Sequence, residues 1–152
     1  MSKRLLSILF SAALVIGHAG GVMAGELTVD EMQAELDAAT PEQPADFSGH
    51  DLSYLDLSGM DLSGANLAAA DLSNARLENT RLEGASLIGA KLNGAWLAGA
   101  DLSNTNLRDA VFVDAMLTGA RFTGADLQGT DFSGAELNGA TGLYGELARQ
   151  RV

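Results

Sequence analysis

From Ala45 to Gly139 the chain repeats one five-residue pattern of apolar and polar positions. This stretch divides into 19 consecutive units without a slip, from ADFSG at its start to AELNG at its end. The third position is always Leu or Phe, the first is Ala or Thr in 16 of the 19 units, and the fifth is Gly in 12. A period of five fits neither the roughly 3.6-residue turn of an α-helix nor the roughly 3.5-residue period of a coiled coil. The pattern therefore predicts a repeat architecture.

Each unit has the composition of a short extended piece followed by a turn. In extended backbone, successive side chains point to opposite sides, so the small first position and the large third position face the same way. We expect both to point inward and the polar second and fourth positions to face water. The fifth position carries mostly Gly, Asn or Asp, which tolerate the positive φ of a turn. Because one unit buries almost nothing, the units are expected to wind into a solenoid that buries a continuous column.

Units such as ADLSN, ANLAA and ADLQG resemble the pentapeptide-repeat family, whose pattern is A(D/N)LxX. The resemblance implies an all-β fold, a right-handed quadrilateral β-helix with four units in each coil. Residues 20 apart in the sequence would then stack on the same face. The repeat would occupy 45–139 and form almost five coils.

Residues 1–24 are typical of a secretory signal peptide. Lys3 and Arg4 precede an apolar run of 12 residues, which is too short to span a bilayer as a helix, and Val22-Met23-Ala24 is a small-residue cleavage pattern. A retained membrane anchor is the alternative. We predict a periplasmic or secreted protein, with a thylakoid lumen also open, that has no stable membrane insertion after cleavage.

Both ends of a solenoid expose unpaired backbone, so we expect both ends to be covered. Residues 25–44 predict a short N-terminal helical cap and a linker, because Thr28 and Glu31 fit a capping box and two prolines follow. The alternative for this helix is docking in a partner's groove. Residues 140–152, where the repeat fails, predict a small C-terminal cap. In several members of the family this end pairs with a second copy, so a homodimer through the C-terminal end is one expectation.

The outward second positions predict two candidate surfaces. With 20-residue stacking, Trp96 lies over Met116 where polar residues are expected, and Val111 and Val113 lie across the adjoining corner. This candidate interface would bind another protein or a second copy of the chain, and the alternative is scattered surface hydrophobes. The second surface is a column of alternating charge, formed by Asp61, Arg81, Asp101 and Arg121. We interpret it as a candidate ladder of surface ion pairs. The alternative is that the alternation of charge is a coincidence.

Composition excludes several function classes. The chain has 152 residues, no cysteine and a formal net charge of −11, which becomes about −13 once Lys3 and Arg4 leave with the signal peptide. The missing cysteine excludes disulfides and thiolate chemistry, and the acidity argues against binding to nucleic acid. The sequence has no nucleophile elbow, no EF-hand spacing and no phosphate-loop motif. We therefore expect no catalytic residues, no cofactor and no metal site.

Two functions from different classes fit these patterns. The first is an exported, non-catalytic β-helical scaffold that mediates protein–protein interaction with an unknown partner. The second comes from the resemblance, because some pentapeptide-repeat proteins are acidic rods that look like duplex DNA and bind type II topoisomerases such as gyrase, which confers quinolone resistance. The export signal and the short tail argue against the second function. Basic residues also interrupt the acidic surface midway, namely Arg76, Arg81, Lys91, Arg108 and Arg121.

Overall fold

A computed structural model describes residues 27–143, which contain one helix followed by a coiled array of short parallel bridges. Helix α1 spans Val29–Ala38. The bridges join residues 20 apart, from Asp46 with Asn66 to Arg121 with Thr141. Pairing therefore continues two residues beyond the boundary predicted at Gly139. The predicted signal peptide 1–24 and positions 144–152 of the predicted C-terminal cap lie outside the described residues.

Backbone hydrogen bonds connect each coil to the coils on either side of it. The amide of Leu72 donates to the carbonyl of Lys91 at 2.7 Å, and the amide of Lys91 donates back to the carbonyl of Ala70 at 3.0 Å. Within each unit a turn bond closes the corner, as when Ala75 N donates to Leu72 O at 3.1 Å. Twenty residues per coil with one corner every five residues confirm the predicted four units per coil. Neighbouring coils lie at about the strand spacing of 4.8 Å.

The shaft of the coil is filled by the third-position side chains, as the alternation predicted. Every third-position Leu or Phe from Phe47 to Phe132 is buried, and Leu72 and Leu97 have no exposed surface. First-position alanines are buried beside them, as at Ala95. Three threonines replace alanine on this inner side without leaving a polar atom unpaired, because their hydroxyls donate to the carbonyls of the preceding coil. These pairs are Thr80 with Leu57, Thr105 with Leu82 and Thr130 with Leu107.

The fifth position turns the chain with a positive φ, and its residue type depends on the coil next to it. Asp109 has φ 56°, and its Oδ1 would lie 2.2 Å from a Cβ built on Gly129, the turn residue one coil further on. An Asn or Asp at one corner therefore favours glycine at the same corner of the next coil. The same relation holds in five places, Asn74 over Gly94, Asn79 over Gly99, Asn104 over Gly124, Asp109 over Gly129 and Asp114 over Gly134.

The second-position aspartates brace the backbone of their own unit. Asp71 Oδ1 accepts a hydrogen bond from Ser73 N at 3.0 Å, and Asn66 makes the same bond to Ala68 N at 3.2 Å. This local bond from the residue two positions on favours the extended-then-turn conformation. Equivalent bonds recur at Asp46, Asp51, Asp56, Asp61, Asp101, Asn106, Asp126 and Asp131.

Helix α1 begins with the capping box that the sequence predicted. Thr28 Oγ1 accepts from Glu31 N at 3.3 Å, and Glu31 Oε2 accepts from Thr28 N at 2.9 Å. Met32 is the one fully buried residue of α1 and belongs to the same hydrophobic cluster as Phe47. The helix is also joined to the first coil where Glu35 Oε1 accepts from Asp46 N at 2.9 Å.

We expect Gly129→Ala to destabilise the coil by about 2–4 kcal/mol, because it combines the left-handed backbone penalty with a clash against Asp109. Gly119→Ala is the matched control. Gly119 has φ 71° with no atom within 4 Å of its virtual Cβ, so only about 1 kcal/mol should be lost there. Urea unfolding of both variants measures the difference. Equal losses would contradict the clash, and Asp109→Gly should rescue most of the loss in Gly129→Ala.

Stability should fall in acid because second-position carboxylates are stabilised as anions. Hydrogen bonding from Ser73, opposed in part by burial and assisted by Lys91, holds the pKa of Asp71 below its ordinary value of 3.8. A carboxyl whose pKa is lower in the folded state contributes stability above its unfolded pKa, and this contribution is lost as pH falls through the folded pKa. Thermal unfolding should therefore shift to lower temperature below about pH 4.

Asp71→Asn tests this origin of the pH dependence. The amide keeps the Oδ1 acceptor, as Asn66 and Asn106 do naturally, but cannot titrate in this range. The variant should therefore show a shallower loss of melting temperature between pH 6 and pH 3, values chosen to bracket the ordinary carboxyl pKa at about 4. An unchanged slope would assign the acid sensitivity to other groups.

Candidate interaction surface

Each coil has four faces, numbered in chain order from the unit 45–49, which lies on the first face. The outward second-position side chains of each face stack in a column, with one residue per coil. On the third face, parallel bridges join the Trp96 column, which consists of Asp56, Arg76, Trp96, Met116 and Glu136. The stacking of Trp96 over Met116 is therefore the arrangement that the 20-residue period predicts. Because the inner side of the column is held by buried leucines such as Leu97 and Leu117, its spacing is set by the shaft and not by the surface residues.

The guanidinium group of Arg76, one coil before Trp96, lies over the Trp96 ring and is paired with two acidic side chains. The Arg76 Cζ atom lies 5.8 Å from the Trp96 ring centroid, a cation–π distance. Arg76 Nη1 is 3.4 Å from Asp56 Oδ2, and Arg76 Nη2 is 3.5 Å from Glu78 Oε1. Ser58 Oγ donates to Glu78 Oε2 at 2.8 Å, which connects the group to the first coil. Counting in steps of 20 from Trp96 reaches Arg76, so the sequence already placed the two residues in one column. The contact between the guanidinium group and the indole ring was not predicted from it.

Both acids of this group are stabilised as anions. Hydrogen bonds from the Ser58 side chain and backbone, with a contribution from Arg76, hold the pKa of Asp56 below its ordinary value. Burial raises the pKa of Glu78, but hydrogen bonds, chiefly from Ser58, and the Arg76 guanidinium outweigh burial and lower it. Arg76 thus faces two carboxylates at neutral pH while it lies over the Trp96 ring.

Of the four residues of the predicted interface, Trp96 and Met116 are joined by a parallel bridge, and Val111 and Val113 precede the turn at Asp114 that leads to Met116. These four residues are called the apolar corner below. Trp96 is 45% exposed, and the other three are half-buried. Val111 stacks on Lys91 in the second-face column, and the carbonyl of Val113 accepts from Gly94 N at 2.9 Å. The chain then turns at Asp114 and places Met116 on the third face, next to Trp96.

Two further exposed hydrophobic residues were not singled out from the sequence. Tyr54 is 76% exposed and holds φ 62° at a corner where most units have glycine, and Ile88 is 41% exposed on the first face. Their signal was a break in the repeat pattern, a tyrosine at the fifth position and an isoleucine at the fourth. Neither lies in the Trp96 column, so Ile88 provides a comparison residue away from the apolar corner.

The fourth-face column of alternating charge forms two separate ion pairs. Arg81 Nη1 lies 3.1 Å from Asp61 Oδ2, and Arg121 Nη2 pairs with Asp101 Oδ2. Within residues 27–143, Arg81 makes no ion pair with Asp101, although the two share a bridge. Each exposed pair contributes roughly 0.2–1 kcal/mol at most. The column is therefore a set of local pairs and not a continuous ladder of contacts.

No three His, Asp or Glu side chains between residues 27 and 143 gather in a way that could hold a metal ion. No helix in the same range is both long enough and apolar enough to cross a bilayer.

Comparison with known proteins places the repeat in a family. The model of that family, described as pentapeptide repeats, matches eight copies over residues 45–67, 65–104, 85–124 and 105–141. No curated protein sequence matches the chain significantly.

Several solved structures are similar to the coil. The pentapeptide repeat protein Rfr23 from the cyanobacterium Cyanothece 51142 is 38% identical over 60% of each chain, with a TM-score of 0.57. HetL, a pentapeptide repeat protein involved in heterocyst differentiation regulation from Nostoc sp. strain PCC 7120, is 32% identical over 76% of this chain and 49% of its own, with a TM-score of 0.45. QnrB1, a plasmid-mediated fluoroquinolone resistance protein, is 23% identical over 62% of this chain and 66% of its own, with a TM-score of 0.36.

The chain spans less than two thirds of the length of Rfr23 and of HetL. The match to the family model covers most of the chain, and the 20-residue bridges and the inward Leu and Phe side chains are the structure that such repeats require. The chain therefore belongs to the pentapeptide-repeat family, whose members fold as a right-handed quadrilateral β-helix.

Proposed function

We propose that this protein is an exported, non-catalytic β-helical scaffold that binds a protein partner through the apolar corner. The observation that carries the proposal is Trp96, the single tryptophan of the chain, which stays 45% exposed beside Met116, Val111 and Val113. Most other units have a polar residue at these outward positions. Clustered apolar side chains with a polar surround are typical of protein interfaces, where tryptophan often contributes most of the binding energy.

The rigidity of the coil supports a scaffold role. The apolar corner projects from backbone whose inward neighbours, Leu97, Phe112 and Leu117, have no exposed surface. Arg76 also lies over one face of the Trp96 ring. A partner would thus meet side chains that are already ordered, and binding would lose little conformational entropy on this side of the interface.

Helix α1 is proposed as the cap of the N-terminal end. Met32 is buried in the hydrophobic cluster of the shaft, and Glu35 accepts the otherwise outward-facing amide of Asp46. Both contacts cover apolar surface or backbone that an open first coil would expose to water or to another chain.

Export is proposed from the pattern of residues 1–24. The basic start, the short apolar run and the small-residue site before Gly25 support secretion, with the periplasm as the destination. Mass spectrometry of the protein from the envelope fraction should give a chain that begins at Gly25. A chain that retains residue 1 in the membrane fraction would favour the membrane anchor instead.

Replacing Trp96 and Met116 together by aspartate should abolish partner capture from the envelope fraction and any self-association through this face. Burial of an introduced charge at an interface is strongly unfavourable, so binding should weaken at least tenfold, equivalent to about 1.4 kcal/mol. The measurements are affinity capture with identification of the co-purified protein, and sedimentation. Circular dichroism should confirm that the coil is intact.

Ile88→Asp is the matched control, since it places the same charge at an exposed hydrophobic site on another face. Capture and sedimentation should be unchanged in this variant. If the double variant retains both the captured partner and the self-association of the native chain, the apolar corner is not the interface. A chain that ends at Gly139 tests dimerisation through the C-terminal end separately.

Topoisomerase binding by DNA mimicry is the second candidate, favoured by the net charge of −11. A mimic of duplex DNA needs an extended run of negative charge. Here four cations pair with second-position acids on three faces of the coil, namely Arg76, Arg81, Lys91 and Arg121. Mature protein in the cytoplasm together with inhibition of gyrase supercoiling would favour this candidate over the scaffold.

A further inference from the structure

We infer that the apolar corner binds an α-helix with a basic end, lying parallel to the axis of the coil. This inference rests on the proposed function and names the chemistry of the partner. Its basis is the order of side chains in the Trp96 column and the spacing between coils.

The spacing favours a helix over a strand. Trp96, Met116 and Glu136 lie in three successive coils of one column, about 4.8 Å apart per coil. One helical turn rises about 5.4 Å, so a helix parallel to the axis stays aligned with this column over three coils. Side chains on one face of a strand recur at about 6.6 Å, and such a segment would be out of step with the column by the third coil.

The chemistry of the column specifies the order of residues on the partner. Trp96 and Met116 are apolar, and Glu136 is an exposed carboxylate. Asp114, at the corner beside Met116, is a second exposed carboxylate. Within residues 27–143 neither acid forms an ion pair with a cation. A complementary helix therefore carries two apolar residues three or four positions apart, and a Lys or Arg one turn further on.

The other end of the column is already neutralised, which gives the partner a direction. Arg76 is occupied by Asp56 and Glu78 and lies over the Trp96 ring. A basic residue on the partner would therefore be attracted more strongly to the Glu136 end, where the carboxylates of Glu136 and Asp114 have no ion-pair partner within residues 27–143. Arg76 also lies over the indole in the free protein, 5.8 Å from the ring centroid.

A second copy of helix α1 does not fit this description. Its sequence, VDEMQAELDA, contains four acids and no base. Placed along the Trp96 column, it would set its carboxylates beside Glu136 and Asp114, which is repulsive. The occupant is thus a basic amphipathic helix and not α1 of a second copy.

The experiment uses Trp96 as its own reporter, because it is the only tryptophan in the chain. The probe is a tryptophan-free peptide of about 14 residues in which Leu and Lys follow the helical period. Two comparison peptides have the same length, one with Glu in place of Lys and one with Leu and Lys in strict alternation, which favours a strand. The helical Leu/Lys peptide should shift Trp96 emission to the blue, saturably, and bind at least tenfold more tightly than either comparison peptide.

Variants separate this binding from general attraction to an acidic protein. Met116→Asp should weaken the helical Leu/Lys peptide at least tenfold, although the change adds negative charge. Glu136→Lys alters only an exposed side chain, so the fold is not at risk, and it should reverse the preference toward the Leu/Glu helix. Ile88→Asp should leave the affinity unchanged.

Equal binding of the alternating peptide, or affinity that is insensitive to both Met116→Asp and Glu136→Lys, would overturn the helix assignment. The absence of any emission shift at saturating peptide would overturn it as well. In each of these cases, capture of the native partner that still depends on Trp96 and Met116 would leave the proposed scaffold function standing. Loss of that dependence would instead overturn the scaffold function.

Discussion

Burial of one large apolar side chain in every five residues constrains the whole repeat. Leu92, Leu97 and Leu102 are all buried because the backbone turns after each of them and passes alongside itself 20 residues later. That return also brings the amides and carbonyls of successive coils within hydrogen-bond distance, so the polar backbone of the shaft is satisfied at the same time. Deleting one such side chain would leave a cavity in the shaft and cost about 2–5 kcal/mol.

Part of the acidity of the protein follows from this local architecture, because eight of its 20 acidic residues are second-position aspartates. Second-position aspartates accept a hydrogen bond from the backbone amide of the residue two positions on, and Asn66 and Asn106 accept the same bond. A carboxylate at this position therefore stabilises the backbone of its own unit in addition to contributing surface charge. The net charge on its own is weak support for DNA mimicry, especially since Asp56, Asp61, Asp71 and Asp101 each pair with a cation one coil away.

The interaction surface depends on the same geometry. Because each column takes one residue from every coil, side chains 20 apart become neighbours at strand spacing. Arg76 thus meets Trp96, and Trp96 meets Met116. The column presents apolar surface in its middle and an acidic end at Glu136, and the buried shaft keeps this order fixed while the outward residues vary.

Much of the fold could be predicted because it depends on quantities that can be counted along the chain. The five-residue period determined the inward positions of Leu72 and Leu97. Together with the resemblance to the family, it predicted the four-sided coil and the stacking of Trp96 on Met116. The capping box of Thr28 and Glu31 was likewise predictable, since its hydrogen bonds join residues three apart. Only the tertiary structure decided which of two neighbouring groups a side chain contacts when both lie at a similar distance in adjacent coils. Arg81 pairs with Asp61 and not with Asp101, Arg76 reaches both an acid and the Trp96 ring, and Asp109 occupies the space above Gly129. These choices depend on rotamers and on contacts of a few ångströms between coils, which the period of the sequence does not contain.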